Sequence, residues 1–169
     1  MSLSSGAHHW THRSRSHSLQ LAAVALVVSI LAAPSSRAEV ERINVEGLGR
    51  LPAFSHATVA SGQLVFIAGT LGFAPGATEL VAGGVGAQTR QILENIDRIL
   101  TAARTNRGNV LQCTVYLTDM TKFAEMNDAW LPFFGEAPPA RATIGVAALA
   151  RDATVEIECV AQRTVATAG

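Results

Sequence analysis

The chain has 169 residues, 49% of them hydrophobic, and its 13 basic and 13 acidic side chains give a formal charge of zero. That length and apolar content suit one compact domain with its own core rather than a disordered or fibrous chain. There is no basic run, so the electrostatic footprint of a nucleic-acid binder is missing, and two separated cysteines with few histidines make no zinc site.

The first segment reads "MSLSSGAHHWTHRSRSHSLQLAAVALVVSILAAPSSRAEV". A basic opening with Arg13 and Arg15 precedes an uncharged apolar run from about Leu19 to Ala33, and small residues lead up to Ala38. That order builds a secretory signal peptide. The apolar run is shorter than the roughly 20 residues a membrane-spanning helix requires. The expectation is therefore a signal peptide over 1–38, cleaved after Ala38, and an exported protein, periplasmic or secreted. An uncleaved anchor is the competing reading. No cysteine follows the apolar run, so a lipid-attached form has no acceptor thiol. Without Arg13, Arg15 and Arg37 the domain 39–169 keeps ten basic against thirteen acidic residues, a net charge of −3, and His56 is its only histidine.

In chain order, "RINVE" over 42–46 predicts a short strand and "GLGRLPAFS" a loop. "HATVA" (56–60) and "QLVFIAG" (63–69) flank Ser61-Gly62, which predicts a hairpin. Val85, Ile92, Leu93, Ile96, Ile99, Leu100 and Ala103 form a helical stripe, with Gln88, Arg90, Glu94, Asp97 and Arg98 on the other side. "NVLQCTVYL" (109–117) predicts a strand rich in β-branched residues. Thr118-Asp119 then offers an N-cap, and Phe123, Met126, Trp130 and Phe133 follow at helical spacing, with Pro132 expected to kink or end that helix. "ATIGVAAL" (142–149) and "ATVEIECVA" (153–161) predict two last strands joined at Ala150-Arg151-Asp152. The order β-β-β-α-β-α-β-β predicts a single α+β domain, a mixed sheet with two helices on one face. The other face is then open in a monomer, and its apolar residues predict an oligomer.

Cys113 and Cys159 each lie in a strand-like run, where a small buried thiol is a common filler. Free buried thiols are the expectation and a disulfide the alternative, since bridging depends on strand neighbours.

The residues that could carry chemistry cluster late in the chain. Arg141 follows Pro138 and Pro139 and precedes a strand uncharged up to Arg151. The prolines stiffen the approach, and a guanidinium so placed can grip a carboxylate through two parallel hydrogen bonds. Glu156 and Glu158 alternate with Val155, Ile157 and Cys159, so both carboxylates share the sheet face opposite Ile157 and Cys159. One of them, facing a cleft near Arg141, could hold a water or move a proton. The plainer reading is a surface ion-pairing arginine and a solvated edge strand.

"PPARATIGVAAL" followed by "VEIECVA", with "GQLVFIAG", "QTRQILENIDRIL", "TVYLTDMTKFAEMN" and "FFGE", resembles the RidA family of YjgF-like enamine/imine deaminases from about Phe54 to Ala161. The resemblance implies a chorismate-mutase-like α+β fold and a homotrimer with three clefts between subunits. It also implies hydrolysis of 2-aminoacrylate-type enamines and imines to 2-keto acids and ammonia, with no metal or organic cofactor. In that family the arginine matching Arg141 binds the substrate carboxylate, and the glutamate matching Glu156 handles the attacking water. Asn127 matches a cleft-lining asparagine, and Ala68-Gly69 match backbone that lines the pocket. Two departures stand out. A "PYSQA" motif common in the family reads "AFSHA" here, so Phe54 can wall the pocket but donates no hydrogen bond; the local spacing keeps both Phe54 and Ser55 as candidates. Thr143 stands where many members have cysteine. His56 reads as a loop histidine rather than a base. Two further readings are a carboxylate-binding or chaperone-like trimer without turnover, and a ribonuclease, which the acidic mature chain disfavours.

Overall fold

The computed structural model describes residues 39–49 and 51–163; the leader expected over 1–38 lies outside them. Eight elements follow in the expected order: β1 (Glu41–Ile43), β2 (Ala57–Val59), β3 (Gln63–Thr70), α1 (Gly84–Ala102), β4 (Val110–Leu117), α2 (Phe123–Phe134), β5 (Ala140–Gly145) and β6 (Val155–Arg163). The α+β class and mixed sheet are as read from the sequence. The main sheet has the order β3-β6-β4-β5, with β4 and β5 parallel and the other pairs antiparallel.

The hairpin expected across Ser61-Gly62 is corrected. β2 pairs with β1 in a separate two-stranded sheet, and β3 pairs with β6. The turn signal at Ser61-Gly62 is real, but it redirects the chain between sheets. Gly62 is needed there for close approach: a Cβ would meet the Arg163 carbonyl at 2.6 Å, and its N–H donates to Gln162 Oε1 at 2.9 Å.

Strand alternation sends Val65, Ile67, Val115, Leu117, Val155, Ile157 and Ala161 to one face, where both helices lie. Ile92, Leu93, Ile96 and Leu100 of α1 and Met126, Trp130 and Phe134 of α2 close that core. Arg104, at φ 59°, ends α1 with Thr105 N–H bonded to Leu100 O and Arg104 N–H to Thr101 O, the double closure of a Schellman turn. Asp119 caps a 3-10 turn, Met120–Lys122, that leads into α2, accepting from Thr121 N–H at 2.9 Å. Pro132 lies inside α2, which ends two residues later at Phe134.

Free thiols are also corrected. Cys113 and Cys159 form a disulfide (Sγ–Sγ 2.03 Å). β4 and β6 are antiparallel neighbours, and the two residues stand directly opposite each other with Cα atoms 4.1 Å apart. Closing a loop between residues 46 apart removes unfolded-chain entropy, a stabilisation of about 4 kcal/mol in the chain-entropy picture.

Candidate active site

Arg141 lies within β5, not at its entrance, because pairing with β4 begins at Ala140 opposite Gln112. Its direct neighbour on β4 is Cys113, a core residue, so the side chain emerges on the helix side. There α2 surrounds it. Nη1 donates to Asn127 Oδ1 at 2.8 Å and approaches Met126 Sδ at 3.9 Å. The guanidinium carbon stands 4.9 Å from the Trp130 ring centre and 5.6 Å from that of Phe123. No carboxylate among the described residues pairs with it. Burial lowers its pKa to about 10, so the group keeps its charge at neutral pH in a partly dry setting.

The segment 53–55 completes this side. Trp130 Nε1–H donates to Ala53 O at 3.0 Å. Ser55 is buried and extends the sheet past β5 by a parallel bridge to Ala140. Its N–H donates to Pro139 O at 3.0 Å and its hydroxyl to Pro138 O at 2.8 Å, so Ser55 anchors the proline pair instead of presenting a free donor. Phe54 packs against the core beside it. Thr143, two residues beyond Arg141 on the same face, has a buried hydroxyl oxygen with no hydrogen-bond partner. His56 is a loop brace: its Nδ1 accepts from Val45 N–H at 2.9 Å and its Nε2–H donates to Gly49 O at 3.0 Å.

Glu156 belongs to a second group. It faces Tyr116 across the β4–β6 ladder, three positions from the disulfide row and therefore on the open sheet face. The ladder between β3 and β6 shifts register between Ile67 and Thr70, where β3 carries one extra residue. That bulge holds Ala68 and Gly69, and a Cβ at Gly69 would collide with the Glu156 carboxylate. Gly69 is thus required for close approach. On the same face Tyr116 donates to Glu158 Oε1 at 2.9 Å, and that bond raises the phenol's pKa.

The expected site residues therefore fall into two groups on opposite faces of one sheet. Arg141, Asn127, Phe54, Ser55 and Thr143 form one; Glu156, Ala68 and Gly69 form the other. A single chain does not bring Arg141 and Glu156 into one pocket. Phe123, Met126 and Trp130, a helical stripe by their spacing, also wall Arg141, and the sequence signal for this is that Asn127 adjoins Met126.

A four-stranded mixed sheet under two helices, with a half-buried cation facing α2 and a carboxylate tucked against a bulge, defines a small α+β protein of the Rid fold. The family model described as Endoribonuclease L-PSP matches residues 48–163, and the chain belongs to that family, the YjgF/RidA family. A RutC family protein of Pyrococcus horikoshii is 43% identical over 105 residues, 62% of this chain and 83% of that protein. The 2-iminobutanoate/2-iminopropanoate deaminase of Bos taurus is 42% identical over 99 residues, 59% of this chain and 72% of that protein. The crystal structure of the Rid-family protein YyfB from Yersinia pestis superposes with TM-score 0.68 at 31% identity, covering 74% of this chain and 99% of that one.

Proposed function

We propose that the protein hydrolyses 2-aminoacrylate-type enamines and their imine tautomers to 2-keto acids and ammonia. The observation that carries this is the half-buried Arg141 guanidinium, which faces no carboxylate among the described residues. Such a cation is a receptor for a small anion, and its planar fork suits a carboxylate. The family membership and the deaminase relatives support the same chemistry.

In this reading the carboxylate of the imine binds Arg141, with Asn127 holding the guanidinium in place. Water adds to the imine carbon while Glu156 takes its proton. Glu156 passes that proton to the imine nitrogen, giving the carbinolamine; the hydroxyl proton then moves through Glu156 to the same nitrogen as the C–N bond breaks, so ammonia leaves, the ketone forms and Glu156 is again a carboxylate. Holding water and imine in near-attack geometry can supply about 7–11 kcal/mol of barrier lowering at the extreme. No metal or organic cofactor is invoked.

Because Arg141 and Glu156 point to opposite faces of their own sheet, a working site needs Glu156 from a second copy. This favours a homotrimer with clefts between subunits. Export is proposed as well, supported by the leader-like opening and by a disulfide of the kind that persists in oxidising compartments. Mass spectrometry of protein recovered outside the cytoplasm should show a chain beginning at Glu39; an uncut chain there contradicts the cleavage.

The activity is tested by generating 2-aminoacrylate in situ and following 2-keto acid and ammonia. The intact protein should accelerate their release and Arg141→Ala should lose at least about tenfold in kcat/KM, as expected for removing a charge-assisted contact. Equal rates for the two proteins would sink the assignment. Binding of a keto acid at Arg141 with no turnover would instead favour a carboxylate-binding trimer.

A further inference from the structure

The row of residues that crosses the main sheet at Arg141 reads Ile67, Cys159, Cys113, Arg141, one from each of β3, β6, β4 and β5. The disulfide occupies its two central positions. We infer that the Cys113–Cys159 bridge is a positioning device for the clefts between copies: it holds the strand that presents Glu156 to one cleft in register with β4, the neighbour of the strand that presents Arg141 to another. This rests on the deaminase reading above.

Two features of the ladders support it. The β4–β6 ladder shifts between Val110 and Gln112, where β4 carries one extra residue, and Cys113 comes immediately after that irregularity. The β3–β6 ladder shifts between Ile67 and Thr70, immediately beside the same row. Register in a sheet is set by continuous pairing, and a one-residue slip exchanges the two faces. Here the hydrogen-bonded pairing breaks on both sides of β6 within a few residues, and the covalent bond lies between the breaks. Glu156 is three residues along β6 from Cys159, and Arg141 stands directly beside Cys113.

The load on this row is unusual. β5 is an edge strand, held through β4 and extended only by the isolated Ser55–Ala140 bridge. It carries a desolvated cation whose hydration would improve if the strand moved outward. β4 resists that movement, and the bridge ties β4 to β6. Both sulfurs lie in the core, at 1% and 2% residue exposure, so reductants reach them only through opening of the domain. The bridge is a permanent lock rather than a rapid switch.

The test uses the folded oligomer and the Cys113→Val/Cys159→Val double variant, assayed well below its melting transition. Ile92→Val, a core change in α1 rather than in the sheet, serves as a stability control. The lock predicts roughly a tenfold fall in kcat/KM for the valine pair, because small misplacements of reacting groups cost large factors in rate. The control should keep its kcat/KM. An unchanged kcat/KM in the folded valine pair, or an equal fall in the control, overturns the positioning role. Arg141→Ala in the disulfide-intact protein separates the two readings: if it retains full kcat/KM, the carboxylate-anchor reading fails and takes the lock with it. Should the valine pair not fold, the natural chain refolded and assayed in dithiothreitol gives the same comparison, and reoxidation should restore kcat/KM. A chain that folds in neither form makes the bridge a folding requirement only, which also overturns the proposal.

Discussion

A half-buried guanidinium without a carboxylate partner costs free energy that something else must offset. For Arg141 the offset within the chain is small: one hydrogen bond to Asn127 and two ring faces. Its pKa, lowered by burial to about 10, means that the unfolded chain holds the proton more tightly than the folded one. The half-buried charge therefore opposes folding at all pH values below about 10, and that opposition fades as pH rises above about 10. A bound carboxylate acts the other way and keeps the proton on. Keto-acid affinity measured by titration calorimetry should thus be level through neutral pH and fall above about pH 10. A fall centred near neutrality would point to another group. The sequence singled out this residue from its isolation between a proline pair and an uncharged strand, and it supplied Glu156 by alternation. It had no means of showing that the two face opposite sides, because the face of Arg141 depends on its parallel pairing with β4.

Helix α1 opens on a glycine run that offers no side-chain cap. Its third residue, Gly86, instead donates its N–H to Glu125 Oε1 of α2 at 2.9 Å. A carboxylate at a helix N-terminus satisfies an otherwise unpaired donor and meets the positive end of the helix dipole. Glu125→Ala should therefore lower stability by about 1 kcal/mol in chemical denaturation, while Glu94→Ala, on the outer side of α1, should change it by far less. The ion pair of Glu125 with Lys122, 3.7 Å apart and solvated, adds little. At this scale the sequence was most readable where periodicity is long and least readable where a partner matters. Both helices were legible from apolar spacing, but the β2–β3 hairpin was not a hairpin. A two-residue turn signal says that the chain reverses; it does not say which strand it then joins.

Across the whole molecule, the face of the sheet opposite the helices carries Leu64, Phe66, Val160 and Ile144 together with Glu156 and Glu158. Phe66 is 76% exposed and Ile144 45%, an apolar surface that association would cover. Burying a phenylalanine is worth about 1.5–3 kcal/mol per copy, so Phe66→Lys should shift the proposed trimer towards monomer in sedimentation. If the site is shared between copies, turnover should fall in parallel with the mass. From the sequence alone came the kind and order of elements, the α+β class, and Arg141 and Glu156 as candidate site residues. These follow from local periodicity, turn chemistry and side-chain charge, all encoded within a few neighbouring positions. Only the tertiary structure decided that Cys113 meets Cys159, that β3 joins β6, and that Arg141 and Glu156 look out from opposite faces. Each of those is a matter of strand neighbour and register between segments tens of residues apart, and no local pattern carries that information.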